Sequence, residues 1–181
     1  FLTKRTRDST PERECIDKRK CRVYFGGHHM TAGVHYAKPD SYAPVPSWTT
    51  IKLQLAITSK HRMKLKAFDC TAAYLQADLK DPLYVRPPKG LMEAMEQNKN
   101  DIWKLKKSLY GISYASWNWW EKVSKWLKAY GFRTLGNSGT FLMLDRRTSK
   151  DPAKRGIILL SLYSDDGLAS IDNSALWDDF M

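Results

Sequence analysis

The feature that most constrains this chain is an apolar, strand-length run that delivers two adjacent carboxylates: Leu159-Leu160-Ser161-Leu162-Tyr163-Ser164-Asp165-Asp166-Gly167-Leu168-Ala169. A short apolar run bounded by turn residues reads as a buried or half-buried strand. Because more apolar chain follows the aspartates, the segment reads as a strand, a tight turn and a return. A second strand-like stretch, Lys66-Ala67-Phe68-Asp69-Cys70, also ends in Asp. If the fold aligns the two strand ends, Asp69, Asp165 and Asp166 form a rigid carboxylate platform. Magnesium takes hard oxygen ligands, usually one or two protein carboxylates plus substrate phosphates, and two-metal phosphoryl transfer needs carboxylates that bridge a pair of ions. Adjacent carboxylates repel one another, so a cation or base is needed to keep them ionised. The spacing alone leaves other readings open. Asp-Gly is a common hairpin signal, so Asp166-Gly167 also fits a simple turn, and a lone Asp after a strand also fits a helix cap.

Charge narrows the partners. With 30 basic and 19 acidic residues the net charge is +11, which favours a polyanion, since Lys and Arg gain affinity by releasing counterions from phosphates. An anionic membrane surface or a merely basic soluble protein fits the same number. No run reaches the roughly 18 apolar residues of a membrane span, and the first residues, Phe1-Leu2-Thr3-Lys4-Arg5, do not read as a signal peptide. The chain starts without Met and is expected to be an excerpt of a longer polypeptide. Its three cysteines, Cys15, Cys21 and Cys70, form no CxxC pair and point to a reducing compartment. Cys21 with His28 and His29 matches no common zinc spacing.

The remaining pattern is mixed. Residues 1–22 are charged and read as a leader feeding a strand near 21–25, and Gly26-Gly27 breaks it. Prolines 39, 44 and 46 mark an extended linker. Ser47 is placed to cap a helix whose Trp48, Ile51, Leu55 and Ser59 recur at helical spacing, widened by Leu53, Ala56 and Ile57. Strands are expected over 63–68, 84–88, 102–105, 140–144 and 157–163, with a second helix starting near Thr71. The strongest helix spans Ala115 to Tyr130, with Trp119, Val123, Trp126, Leu127 and Tyr130 on one face and Gly131 closing it. Irregular alternation of this kind favours α+β over a doubly wound parallel sheet.

Five segments in order carry a resemblance. They are Tyr42-Ala43-Pro44-Val45-Pro46-Ser47-Trp48-Thr49-Thr50-Ile51, Phe68-Asp69-Cys70-Thr71-Ala72-Ala73-Tyr74-Leu75, Tyr84-Val85-Arg86-Pro87-Pro88, Trp103-Lys104-Leu105-Lys106-Lys107-Ser108-Leu109-Tyr110-Gly111 and the YxDD-like Tyr163-Ser164-Asp165-Asp166. Together they resemble the reverse transcriptases of copia-type LTR retrotransposons, from about Lys20 to the end of the chain.

The resemblance implies a right-hand polymerase of α+β class, without its thumb. An antiparallel palm sheet would carry the catalytic aspartates, with helices packed on one face. Residues 1–19 would be a basic leader; fingers would cover about 20–44 and 77–112, palm about 45–76 and 113–181. The implied reaction is RNA-directed DNA synthesis, attack of a primer 3′-hydroxyl on a dNTP. Asp69, Asp165 and Asp166 would be catalytic and would hold two Mg2+ ions with the backbone carbonyl of Cys70, Mn2+ being a substitute. Lys20 and Arg22 would meet the triphosphate. Tyr74 would be the aromatic gate beneath the sugar, Gly111 would lie near the incoming base and template, and Tyr163 would line the substrate site. Implied partners are an RNA or DNA template with its primer, dNTPs and the rest of the polyprotein (integrase, thumb and RNase H regions), with no membrane. The implied location is intracellular, in a cytoplasmic virus-like particle, with the nucleus as the alternative.

Three positions depart from the family pattern. No basic side chain stands in Phe25-Gly26-Gly27; the stretch after Gly111 reads Ile112-Ser113-Tyr114-Ala115-Ser116-Trp117-Asn118-Trp119; and Ser164 replaces an apolar residue before the Asp pair. These leave a second reading, a truncated remnant that binds nucleic acid without catalysis.

Overall fold

The computed structural model describes residues 2–5, 16–20, 23–37, 41–96, 98 and 100–181. Cys21 and Arg22 lie outside them, as do the side chains of the first two strands, Lys20 included. Where a leader was expected, β1 (Leu2–Arg5) and β2 (Ile16–Lys20) pair antiparallel. The strand expected near residues 21–25 does not extend over 23–25, which are irregular.

The body of the chain is α+β. Its main sheet has five antiparallel strands in the order β3-β9-β8-β7-β6. The strands are β3 (Lys64–Asp69), β6 (Arg133–Thr134), β7 (Phe141–Asp145), β8 (Ile157–Tyr163) and β9 (Asp166–Ile171). A separate ribbon pairs β4 (Asp78–Val85) with β5 (Trp103–Lys107). Pro82 sits inside β4 where the register shifts between Asp78 and Leu83, as expected of a residue with no N–H to give to a ladder.

Among the described residues the α-helices are α1 (Trp48–Lys60), α2 (Ala73–Gln76), α3 (Lys89–Ala94), α4 (Ala115–Tyr130) and α5 (Ser174–Phe180). Helix α4 follows from its pattern. Ala115, Asn118, Trp119, Val123 and Leu127 form its buried stripe, and Gly131 stops it at φ +115, a left-handed conformation that glycine adopts without strain. The α4 stripe joins Leu142 and Leu144 of β7, Ile158, Leu160 and Leu162 of β8, Ala169 and Ile171 of β9, and Leu176, Trp177 and Phe180 of α5 in one core. Helix α5 begins at Asn173, whose side chain accepts the Ala175 N–H at 2.8 Å.

Two expectations need correction. Helices do not cover one face of the sheet only. Alternation along a strand sends Leu160 and Leu162 to the opposite face from Ser161, and α1 lies on the Ser161 side, bonded to Ser161 and Ser170 through Gln54. Nor does α1 bury its apolar side. Gln54 and Thr58 are its buried residues, while Leu53 and Leu55 are exposed and Trp48 is 80% exposed. A hydrogen-bonded contact decides which face turns inward, which hydrophobic periodicity cannot anticipate. The cap was legible: Ser47 Oγ accepts the Thr50 N–H at 3.1 Å.

Candidate active site

The two aspartate-bearing strands are neighbours. Strand β3 runs antiparallel to β9, and Asp69, its last residue, is the direct partner of Asp166, the first residue of β9. Asp166 is also the partner of Tyr163 at the end of β8. Direct partners share a face and hold their Cβ atoms about 4.5–5.5 Å apart. Tyr163, Asp166 and Asp69 therefore form one row across three strands. The hairpin between β8 and β9 is closed by Ser164 and Asp165, so Asp166-Gly167 is strand rather than turn. Gly167 is required by close packing, because a Cβ there would stand 2.0 Å from the Phe68 ring.

The turn is held from three sides. The Cys70 N–H donates to the Asp165 carbonyl at 2.7 Å. The Trp119 indole N–H, from α4, donates to the Ser164 carbonyl at 2.8 Å. The hydroxyls of Ser164 and Tyr74 share a hydrogen bond at 2.8 Å. Ser164 itself has φ +55, a region that a residue with a Cβ adopts only under strain. The segment after Asp69 is bent in the same way, with Ala72 at φ +54 as it enters α2.

Tyr74 belongs to a file of aromatic rings. Its ring centroid is 5.5 Å from that of Tyr110, which lies 5.9 Å from that of Tyr24. The file continues into a backbone crossing. The Phe25 N–H donates to the Tyr110 carbonyl at 2.7 Å, and Ser113 Oγ donates to the Gly27 carbonyl at 3.2 Å. Gly111 has φ +88, and a Cβ on it would sit 2.1 Å from the Phe25 carbonyl oxygen; a Cβ on Gly27 would sit 1.8 Å from that of Gly111. Both glycines are thus fixed by main-chain contact.

All three carboxylates lie near enough to Cys70 to act on its thiol. Burial, and then the charges of Asp69, Asp165 and Asp166, push the Cys70 thiol above its ordinary value. Three hard anionic donors at one end of a sheet suit a divalent cation chemically. The Cys70 carbonyl already accepts the Ala73 N–H at 3.2 Å and, with two lone pairs, can take one further partner. Among the described residues, however, no three His, Cys, Asp or Glu side chains are gathered into a metal-holding group. The donor set fits the ion in kind and in sheet position, and the side chains are not drawn together as a ligand cage.

The family model described as reverse transcriptase (RNA-dependent DNA polymerase) matches residues 7–181. The chain belongs to the reverse transcriptase family. Similar curated proteins agree with the copia-type resemblance. The retrovirus-related Pol polyprotein from transposon RE1 of Arabidopsis thaliana is 26% identical over 161 residues, 89% of this chain and 10% of that protein. That from transposon TNT 1-94 of Nicotiana tabacum is 28% identical over 156 residues, 82% of this chain and 10% of that protein. The transposon Ty1-H Gag-Pol polyprotein of Saccharomyces cerevisiae is 35% identical over 132 residues, 64% of this chain and 7% of that protein. This reverse transcriptase segment spans about a tenth of the length of the curated relatives it matches. No solved structure matches it significantly. Among its described residues no helix is long and apolar enough to cross a membrane.

Of the residues singled out from sequence, Asp69, Tyr74, Tyr163, Asp165 and Asp166 meet around one hairpin. Gly111 follows Tyr110, the middle ring of the aromatic file. Lys20 is described only as the β2 backbone paired with Leu2, and Arg22 is outside the described residues. Sequence reasoning missed Trp119 as the partner of the turn, although a mostly buried indole N–H usually finds an acceptor. It also missed Tyr110 and the buried Gln54.

Proposed function

We propose that this segment performs RNA-directed DNA synthesis within a transposon polyprotein, transferring a nucleotide from a dNTP to a primer 3′-hydroxyl. The observation that carries the reading is the register match of Asp69 with Asp166, beside Asp165 in the turn, in a chain of the reverse transcriptase family. Asp69, Asp165 and Asp166 are the residues that would hold two Mg2+ ions, or Mn2+ in their place, with the Cys70 carbonyl beside them. Such ions, when bound, neutralise phosphate charge and favour ionisation of the attacking hydroxyl. The carboxylates orient that centre from two adjoining strands and the turn between β8 and β9, a frame whose rigidity suits a reaction that depends on alignment. On this reading Tyr74 lies beneath the sugar and excludes a 2′-hydroxyl, Tyr163 and Gly111 border the nucleotide and template, and Lys20 and Arg22 meet the triphosphate. Fingers would comprise about 20–44 and 77–112, and palm about 45–76 and 113–181. Template, primer, dNTPs and the remaining integrase, thumb and RNase H regions are the proposed partners. A cytoplasmic virus-like particle is the proposed setting. The net charge of +11 supports the affinity for a polyanion.

A second reading, a remnant that binds nucleic acid without turnover, is favoured by the lack of a gathered ligand cage among the described residues and by the altered stretch after Gly111. Primer extension decides between them. The segment, joined to the rest of its polyprotein, is expected to extend a primer with dNTPs and Mg2+ and to stop when the ion is chelated. Salt-sensitive binding to primer–template with no extension at any Mg2+ or Mn2+ concentration would establish the remnant.

A further inference from the structure

Ser164 is held at both of its polar ends. Its hydroxyl meets the Tyr74 hydroxyl at 2.8 Å, and its carbonyl accepts the Trp119 indole N–H at 2.8 Å. Its backbone is in the left-handed region at φ +55, a conformation that persists in a non-glycine residue only when its surroundings impose it. The Tyr74 ring is in turn confined on another side by Tyr110, centroid to centroid 5.5 Å. A phenol whose hydroxyl is tethered and whose ring is packed has little freedom to tilt. The tether exists because residue 164 carries a hydroxyl; an apolar side chain there, the family's usual choice, could not form it.

We infer that Ser164 is a positioning residue for substrate choice, locking the Tyr74 ring to the Asp165-Asp166 hairpin so that the sugar-facing aromatic and the carboxylates move as one body. This rests on the polymerase reading and on Tyr74 as the residue beneath the sugar. It assigns to this chain a discrimination that depends on a hydrogen bond as well as on the bulk of the ring. Loss of the bond from either side frees the ring to yield to a 2′-hydroxyl, so Ser164→Ala and Tyr74→Phe should have the same consequence, and the two together no more than one.

The test uses the polyprotein polymerase that contains this chain, in four forms: wild type, Ser164→Ala, Tyr74→Phe and the double variant. The readout is kcat/KM for a dNTP and for the matching rNTP. The ratio of rNTP to dNTP use should rise about fivefold in each single variant, the worth of one ordinary hydrogen bond, with no further rise in the double. Parallel loss of both rates at an unchanged ratio would reduce the contact to a structural one and overturn the inference, as would effects that multiply in the double. If Ser164→Ala fails to fold, Tyr74→Phe, which keeps the ring, must raise the ratio alone; an unchanged ratio overturns the inference. Absence of dNTP incorporation by the wild type would overturn the polymerase reading itself and this inference with it.

Discussion

Ser161 donates its hydroxyl hydrogen to the side-chain carbonyl of Gln54 at 2.5 Å, at a point where both residues are buried between α1 and the sheet. The Gln54 amide also donates to the Leu168 carbonyl at 3.0 Å and to Ser170 Oγ at 3.1 Å. Thr58 adds a 2.5 Å contact to the Ser170 hydroxyl. This network seats α1 against β8 and β9, the strands joined by the turn that holds Asp165. Gln54→Leu keeps the size but leaves the buried Ser161 hydroxyl without its partner and takes one of two from the Ser170 hydroxyl, a cost of about 1–3 kcal/mol. Urea unfolding should show that loss. Adding Ser161→Ala and Ser170→Ala to Gln54→Leu should restore part of it, because groups that no longer exist need no partners. A triple variant less stable than Gln54→Leu would contradict the account.

Trp119→Phe tests the clamp on the turn. The ring remains in the α4 stripe and the N–H bonded to the Ser164 carbonyl is lost. Stability should drop by about 1 kcal/mol. On the polymerase reading, primer extension should fall further than the unfolded fraction explains, since the strained turn beside Asp165 is released. Extension that merely tracks the folded population would assign Trp119 to packing alone.

Asp165→Asn separates chemistry from binding. The shape is nearly kept, and a negative charge and a hard oxygen ligand are removed. Extension by the complete enzyme should fall about 100-fold or more, as when a group that stabilises developing charge is lost. Affinity for primer–template should change little, because it comes from Lys and Arg contacts spread along phosphates. Titration of binding alongside extension separates the two, and normal extension by this variant would refute the role given to Asp165.

Asp145 supplies an acid-range prediction. Hydrogen bonds from the Arg147 side chain, and then its backbone, hold the Asp145 carboxyl down at about 2. A carboxylate whose folded pKa is depressed contributes stability that is present above its unfolded value, near 4, and is lost as pH falls through the folded value. Melting midpoints of wild type and Asp145→Asn should therefore differ at neutral pH and converge between about pH 4 and pH 2. The difference should be small and should shrink with added salt, since the pair is largely exposed. A gap that widens on acidification would reverse the sign of the argument.

The legible parts of the fold were those where one force acted alone. Strand β8 and helix α4 came directly from apolar periodicity and a terminating glycine, and the family from the order of its motifs. Helix α1 was found, but its inward face was not, because Gln54 and Thr58 are buried through hydrogen bonds and polar residues carry no hydrophobic signal. The tight turn was expected at the Asp165-Asp166 pair, with Asp166-Gly167 left open as a simple turn; it closes one residue earlier, at Ser164-Asp165, because the pairing of Asp69 and Tyr163 with Asp166 draws that residue into the sheet. Gly167 is there for Phe68. The meeting of Tyr74, Tyr110, Trp119 and Ser164 joins segments distant in sequence, and no local pattern encodes it. Helix α5 is short, and its N-cap, Asn173, was the signal that could have found it.

The crossing of Gly27 and Gly111 has a consequence for how such a chain ages. Two stretches of backbone touch there with no side chain between them, so most substitutions nearby leave the contact intact, while any residue larger than glycine at either position forces the strands of chain apart. As such a chain accumulates changes, a replacement at either glycine is one that the fold cannot absorb by moving a side chain, because the atoms in the way belong to the main chain.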